Sequence, residues 1–264
     1  MSRADPIGVC SIAVNGGGPA ITCPVRFRQD GIVINDAARL AFGEGASFFV
    51  ISELPMMVNV LTGAAVGQVD WVAVHVEDGE LRDFCLIEVQ AVYVSGASYV
   101  PAFRSYMNER KIEDVRGHPD YRSSHVKRLL PQLALKVPVV RRWGKKVFVA
   151  VDESFYQSFP DPPFCNIENS EVTWLVYGLA QAEDQARLEL VKVVPTLLDD
   201  SVEALYSIVP PTRTGLEAID RTPFFGPLVM RVLVGCRSSS GGRTRRVSGS
   251  SRIGVVGSGC TRVA

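Results

Sequence analysis

Two apolar stretches joined by a short acidic turn dominate the hydrophobic pattern between residues 69 and 94. Apolar positions are nearly continuous on both sides of the turn, which predicts two strands that are buried on both faces. Asp70 interrupts the first strand near its start, and Glu88 interrupts the second late, followed two residues on by Gln90. Because side chains alternate along a strand, Glu88 and Gln90 share a face.

The length of the predicted hairpin loop decides whether the two acids meet. A three-residue loop at 78–80 places Asp70 opposite Glu88, with Cβ atoms about 5 Å apart. A two-residue turn instead pairs Asp70 with Ile87 and turns Glu88 to the other face. A shared face therefore requires an odd-length loop or a β-bulge. On a shared face, two carboxylates and an amide form a site suited to a hard cation and a water.

The remaining pattern predicts an α/β (α+β) fold with a mixed central sheet flanked by helices. The segment 47–62 is compatible with strand or helix, and Pro131 predicts a kink or a late start in the helix around it. Further strands are predicted at 171–180 and 186–194, and a hairpin with a basic tip at 137–151. Helices are predicted at 35–42 (capped by Asn or Asp and ended by Gly43), 102–117, 120–136, 197–208 and 215–221.

The charge of the chain is balanced overall but segregated along its length. Lys and Arg number 28, as do Asp and Glu, yet residues 104–146 carry 12 basic residues against 4 acidic ones. Such a block is expected of a surface that binds a polyanion, and a solvated basic helix face produces it about as often. The candidate DNA-binding residues are Lys127 and Arg128, and at the predicted hairpin tip Arg141, Arg142, Lys145 and Lys146.

Composition separates a globular body from a tail. No run of about 18 apolar residues is present and the first residues lack a signal-peptide core, which predicts a cytoplasmic protein without a membrane partner. We predict one domain over residues 1–231. Residues 232–264 contain six Arg and no acid, and we predict a disordered tail. The tail is either a basic arm or an extension without a selected role.

An Asp followed by Glu-x-Gln on a buried strand resembles the catalytic core of the PD-(D/E)xK nuclease superfamily, in a variant with glutamine at the lysine position. Three segments are similar to NotI-type restriction endonucleases: ITCPVRF, DWVAVHVEDGELRDFCLIEVQAVYVSG and KRLLPQLALKVPVVRRWGKKVFVAVDESFY. This resemblance covers residues 7–231. It implies a restriction-endonuclease-like fold.

The resemblance also implies an activity and roles for single residues. Asp70 and Glu88 would bind Mg²⁺ with the backbone carbonyl of Val89, and Gln90 would position the attacking water or a water of a second metal. Glu53 on the preceding element is either a further acid ligand or a surface charge. The implied reaction is type II cleavage of double-stranded DNA by a homodimer at a palindromic site. An amide does not titrate, so Gln90 is excluded as a general base.

The resemblance to NotI-type restriction endonucleases also implies a structural iron that is held by four cysteines ahead of the catalytic core. Only Cys10 and Cys23 fit that region, which makes residues 1–35 the expected remnant of it, and two thiolates do not complete a tetrahedral site. The chain is then a truncated member, or the iron site has been lost. The rival functions are an inactive DNA-binding relative, another metal-dependent phosphoesterase and a structural protein whose paired acids meet basic neighbours.

Overall fold

The computed structural model describes residues 10–12, 18–95, 108, 118–182 and 185–207. Its centre is a six-stranded sheet, accompanied by two small two-stranded ladders. The strands in chain order are β1 (Ser11–Ile12), β2 (Ala20–Ile21), β3 (Phe48–Val58), β4 (Ala65–Glu77), β5 (Glu80–Gln90), β6 (Val94–Ser95), β7 (His118–Pro119), β8 (Val147–Asp152), β9 (Val172–Ala182) and β10 (Gln185–Thr196).

The central sheet mixes parallel and antiparallel neighbours in the order β10-β9-β8-β5-β4-β3. Strands β5, β8 and β9 are parallel, and the pairs β3–β4, β4–β5 and β9–β10 are antiparallel. All residues of β8 are buried, as expected of a parallel strand covered on both faces. The predicted mixed sheet and the strands near 171–180 and 186–194 are confirmed.

Helices cover both faces of this sheet. Helix α1 (Ile32–Phe42) packs with Trp71 and Ile87 on one face. Helix α2 (Leu130–Val140) packs on the other face, through Leu133 and Val137. The remaining helical segments are α3 (Glu153–Tyr156), α4 (Leu198–Tyr206), a π-helical segment (Ser123–Leu129) and 3₁₀ segments at Pro24–Gly31, Arg141–Trp143 and Ile167–Asn169.

The helix boundaries correct parts of the predicted pattern. Helix α1 begins at Ile32, three residues before the predicted start, because the left-handed Gly31 ends the preceding 3₁₀ segment and no Asn or Asp side chain caps the helix. Pro131 is the second residue of α2, but the late start is not confirmed, because the π-helical segment Ser123–Leu129 leads directly into α2 and Leu129 already has helical backbone. The predicted hairpin at 137–151 is wrong. Its first arm is the end of α2, which continues through Pro138 because Val137 and Val140 are buried against the sheet.

The turn between β4 and β5 contains two residues, Asp78 and Gly79, both with positive φ. The three-residue loop is therefore wrong, because Glu77 pairs with Glu80. A bulge at Arg82 then shifts the register, so that Trp71 pairs with Ile87. The one-residue shift at the bulge sets Asp70 and Glu88 on the same face of the sheet. The sequence pattern required either such a bulge or an odd-length loop.

Several predictions fall on residues that the structure does not describe. These are the helices at 215–221 and most of 102–117, the tail at 232–264, and the domain boundary at 231. They stay predictions. None of the described helices combines the length and the apolar composition that a membrane span requires.

We expect Asp152 at the end of β8 to be one of the costliest polar positions to truncate. Its buried carboxylate accepts hydrogen bonds from Ile21 N (2.6 Å), Ser154 Oγ (2.6 Å) and Phe155 N (2.7 Å). Asp152→Ala leaves these donors unpaired and should lower the free energy of unfolding by roughly 2–4 kcal/mol. Urea denaturation measures the loss. The exposed Glu44→Ala serves as the control, and an equal effect of both substitutions would contradict the prediction.

Candidate active site

Asp70 and Glu88 lie side by side on the face of the sheet that α2 covers. The β4–β5 ladder ends at the pair Trp71 and Ile87, and the next step of this register sets Asp70 opposite Glu88. There the Oδ2 atom of Asp70 accepts a hydrogen bond of 2.8 Å from the backbone N–H of Val89. A carboxylate thus takes the place of a backbone acceptor where the ladder stops.

The backbone of Val89 contributes a further oxygen at the point where the β4–β5 ladder ends, which we call the opening. Its N–H is directed toward β4, since it donates to Asp70. In an antiparallel pair the N–H and C=O of one residue are directed to the same neighbour. The carbonyl of Val89 therefore faces β4 as well and adds an oxygen beside Asp70.

Glu53 on β3 lies in line with Asp70 and Glu88, and we call these three residues the acid row. The pairs Ser52 with Trp71 and Leu54 with Val69 flank it, which sets Glu53 across from Asp70. Its φ of 54° is unusual for a residue other than glycine. Its half-exposed side chain lies 4.0 Å from the guanidinium of Arg28. The three acids do not form a cluster of three metal-ligating side chains within the described residues.

Glu88 is buried and paired with a lysine from α2. Its Oε1 accepts a hydrogen bond of 2.6 Å from Nζ of Lys136, and the two side chains are only 2% and 3% exposed. The same ammonium donates to Oε1 of Gln132, one helical turn earlier, at 2.9 Å. An ion pair thus connects the middle of the sheet to helix α2.

The pKa values of both acids are raised. Burial raises the pKa of Glu88 to about 7, against the opposing effect of Lys136 and with a smaller contribution from the charge of Asp70. Loss of hydration also raises the pKa of Asp70, although the hydrogen bond from Val89 and the charges of Lys136 and Arg28 oppose it. Two acids that repel each other, of which Glu88 is buried and Asp70 is exposed, form a site that favours a cation.

Gln90 shares the face of Glu88 and is 6% exposed. Its Nε2 donates a hydrogen bond of 2.6 Å to the carbonyl of Ala91, the next residue. The amide nitrogen is therefore engaged with the backbone, and Oε1 remains as the acceptor atom of this side chain.

The candidate DNA-binding residues lie at the two ends of α2. Lys127 and Arg128 are exposed in the π-helical segment, where the guanidinium of Arg128 lies 4.3 Å from the ring centre of Tyr93. At the other end, three of the four basic residues have protein partners. These contacts are Arg141 to Glu171, Lys145 to Asp83, and Lys146 to the carbonyl of Ile167, while Arg142 is exposed and has no ion pair within the described part of the chain.

Cys10 and Cys23 come together only through the backbone. The carbonyl of Cys10 accepts hydrogen bonds from the N–H groups of Thr22 (3.0 Å) and Cys23 (3.4 Å). Within residues 10–12, 18–95, 108, 118–182 and 185–207, no group of three or more His, Cys, Asp or Glu side chains is placed to hold a metal. The structure therefore gives no support to the expected iron.

Lys136 is the site residue that the sequence pattern missed. The apolar segment 137–140 is predicted as a strand and the predicted helix ends at residue 136, so the pattern does not show which face of the helix carries Lys136. The signal was available, because Leu133, Val137 and Val140 repeat at helical spacing and set Lys136 one turn after Gln132.

A family model, described as restriction endonuclease NotI, matches residues 2–190. The chain belongs to the NotI restriction endonuclease family. No curated protein matches the chain. The matched NotI region includes the acid row, Gln90 and Lys136. Membership identifies the chain as a restriction endonuclease, a class of enzyme that cuts DNA.

Glu88 should make the stability of the folded chain depend on pH. Its pKa is about 7 when folded against an ordinary value of 4.5, so unfolding releases its proton between these values. Its contribution to the free energy of unfolding is therefore present below pH 4.5 and is lost as pH rises to about 7. The wild type should lose stability relative to Glu88→Gln over this interval, measured by urea denaturation.

Glu77→Gln at the exposed end of the hairpin is the matched control for this measurement. It makes the same chemical change away from the acid row, and its stability should follow that of the wild type across the range. A difference between the wild type and Glu88→Gln that stays constant from pH 4.5 to 7.5 would contradict the raised pKa.

Proposed function

We propose that this chain is a Mg²⁺-dependent type II restriction endonuclease that hydrolyses phosphodiester bonds of double-stranded DNA at a specific palindromic site. The observation that carries the proposal is the pairing of Asp70 and Glu88 on one face of the sheet, at the point where the β4–β5 ladder opens. Membership of the NotI family supplies the DNA-cutting activity.

The donor atoms at this opening fit Mg²⁺. Asp70 uses only Oδ2 for its hydrogen bond, and Glu88 uses only Oε1 among the described residues, so each retains a second carboxylate oxygen. The carbonyl of Val89 faces the same opening. Such an oxygen-only set leaves room for the several waters that Mg²⁺ keeps. Bound there, Mg²⁺ would supply positive charge beside the phosphate and increase the acidity of a water.

The side chains of the row have separate roles. Glu88 and Asp70 hold the cation, and Asp70 is the more accessible of the two. Gln90 accepts a hydrogen bond from the attacking water through Oε1, because its Nε2 is held by Ala91. Glu53 is a further acid at the exposed end of the row, beside Arg28.

DNA would lie along the exposed side of α2 and its flanking turns. Lys127 and Arg128 at one end, and Arg142 at the other, are exposed, and none of the three forms an ion pair with a carboxylate of the described residues. Arg141, Lys145 and Lys146 fix the turn that presents Arg142. Contacts of this kind bind phosphates and set the register of the protein on the duplex.

A palindromic site has two-fold symmetry, which a symmetric homodimer matches with one active site for each strand. We therefore include a homodimer in the proposed function. Its stoichiometry is measurable by sedimentation with a DNA duplex. A cytoplasmic location accords with a DNA substrate and stays a prediction.

Removing either paired acid should abolish cleavage. Asp70→Asn and Glu88→Gln delete negative oxygen donors from the site, and the cleavage rate on unmethylated phage DNA with Mg²⁺ should fall on the order of 10³-fold, or about 4 kcal/mol in activation free energy. Chelation of Mg²⁺ by EDTA should stop the wild type, and renewed Mg²⁺ should restore it.

Glu77→Gln is again the control, since it changes an acid on β4 far from the ladder opening, and it should cleave like the wild type. End sequencing of the fragments identifies the site. If full-length wild-type protein does not cut, or if Asp70→Asn cuts at the wild-type rate, the proposal is wrong.

Arg142 should contribute to DNA affinity through phosphate contact. Arg142→Gln should weaken binding to any duplex and lower the slope of log K against log salt concentration by about 1. Fluorescence anisotropy measures both quantities. Arg39→Gln, an exposed arginine on α1 across the sheet, is the matched control and should leave the slope unchanged. Equal slopes for all three proteins would remove Arg142 from the DNA surface.

A further inference from the structure

Within the part of the chain that the structure describes, the acid row has one buried cation beside it, Lys136 of helix α2. Its Nζ lies 2.6 Å from Oε1 of Glu88, and its side chain is 3% exposed. Arg28, the other cation near the row, is more than half exposed and lies 4.0 Å from Glu53. The buried part of the site therefore depends on Lys136 for its positive charge.

Strand β5 does not supply a cation to the acid row, because its arginine, Arg82, lies near the turn. The third position of the Glu-x-Gln pattern is a neutral amide, whose Nε2 donates to the carbonyl of Ala91. Among the described residues, no hydrogen bond joins Gln90 to Glu88. The positive group that faces Glu88 comes from a different element and from 48 residues further along the chain.

The position of Lys136 is fixed by its surroundings. Gln132 accepts a second hydrogen bond from the ammonium at 2.9 Å. The neighbouring Leu133 and Val137 are fully buried against the sheet and hold this part of α2 in place. The ammonium is therefore a rigid donor directed at one oxygen of Glu88, and the other carboxylate oxygen accepts no hydrogen bond within the described residues.

We propose that Lys136 is a positioning residue of the active site, whose ammonium stays bonded to Glu88 during the reaction and supplies the positive charge that the Glu-x-Gln strand lacks. Lys136 acts through Glu88, because it is too buried to meet the DNA itself. This inference rests on the proposed function.

Two other roles make different predictions for the same geometry. In the first, the ammonium only occupies the position of the cation and leaves when Mg²⁺ arrives. In the second, the ion pair only stabilises the fold. The maximal cleavage rate at saturating Mg²⁺ separates a positioning residue from both alternatives, because only a positioning residue is required after the cation has bound.

The kinetic test compares Lys136→Met with Lys136→Arg. We expect the maximal rate per folded molecule of Lys136→Met to fall on the order of 10²-fold, whereas Lys136→Arg stays within about tenfold of the wild type, because it keeps a donor and a charge. Affinity for duplex DNA, measured by anisotropy with Ca²⁺ in place of Mg²⁺, should change less than about twofold. The defect then lies in the rate and not in binding.

Two kinetic outcomes would overturn the inference. Lys136→Met that reaches the wild-type rate at a lower Mg²⁺ concentration identifies Lys136 as a displaced occupant. Lys136→Met that melts at a lower temperature but cleaves normally per folded molecule identifies a purely structural pair. In both cases the wild type still cuts DNA, so the proposed function stands.

A second measurement does not depend on cleavage. Nitrogen-15 NMR of the lysine ammonium groups should show a protected signal that is absent from Lys136→Met, and Mg²⁺ added without DNA should shift this signal and not remove it. Its loss, or its indifference to Mg²⁺, would overturn the inference. A wild type that fails to cut DNA while this signal persists and shifts would refute the nuclease and retain the positioning of Glu88.

Discussion

The ion pair between Lys136 and Glu88 determines where helix α2 sits on the sheet. Removing each charge from water costs several kcal/mol, and good geometry is needed to recover it. Here the recovery comes from the 2.6 Å contact and from the second acceptor on Gln132. A shift of α2 along the sheet would leave both charges buried and unpaired. The same ion pair therefore fixes both the position of helix α2 and the orientation of Glu88.

The second requirement of the site is an interruption in the middle of the sheet. Asp70 accepts the hydrogen bond of Val89 through its side chain, and across the other ladder Glu53 adopts a positive φ. Such a backbone conformation costs on the order of 1–3 kcal/mol and collects at functional sites. The sheet thus loses regular pairing on both sides of Asp70, and this loss gives oxygen atoms access to the opening.

The sequence predicted the acid pair because side chains alternate strictly between the two faces of a strand. This alternation allows Asp70 and Glu88 to share a face only with a bulge or an odd-length loop, and the bulge is at Arg82. The segment 137–140 was predicted wrongly because Val and Pro favour strands and turns locally, while burial against the sheet keeps them helical. Lys136 was missed for the same reason, because ending the predicted helix at residue 136 hides the helical spacing that sets its face, and its partner Glu88 lies 48 residues away.

The bulge at Arg82 has a consequence for how the hairpin tolerates deletions and insertions. Arg82 lies close to both Glu77 and Glu80, two like charges that face each other at the turn. Deleting this one codon would leave a regular hairpin in which His75 still pairs with Asp83 and the register still sets Asp70 opposite Glu88. Inserting one codon between Asp83 and Glu88 would instead turn Glu88 to the other face unless a second bulge formed. The site is therefore more sensitive to a residue gained in β5 than to the loss of its bulged residue.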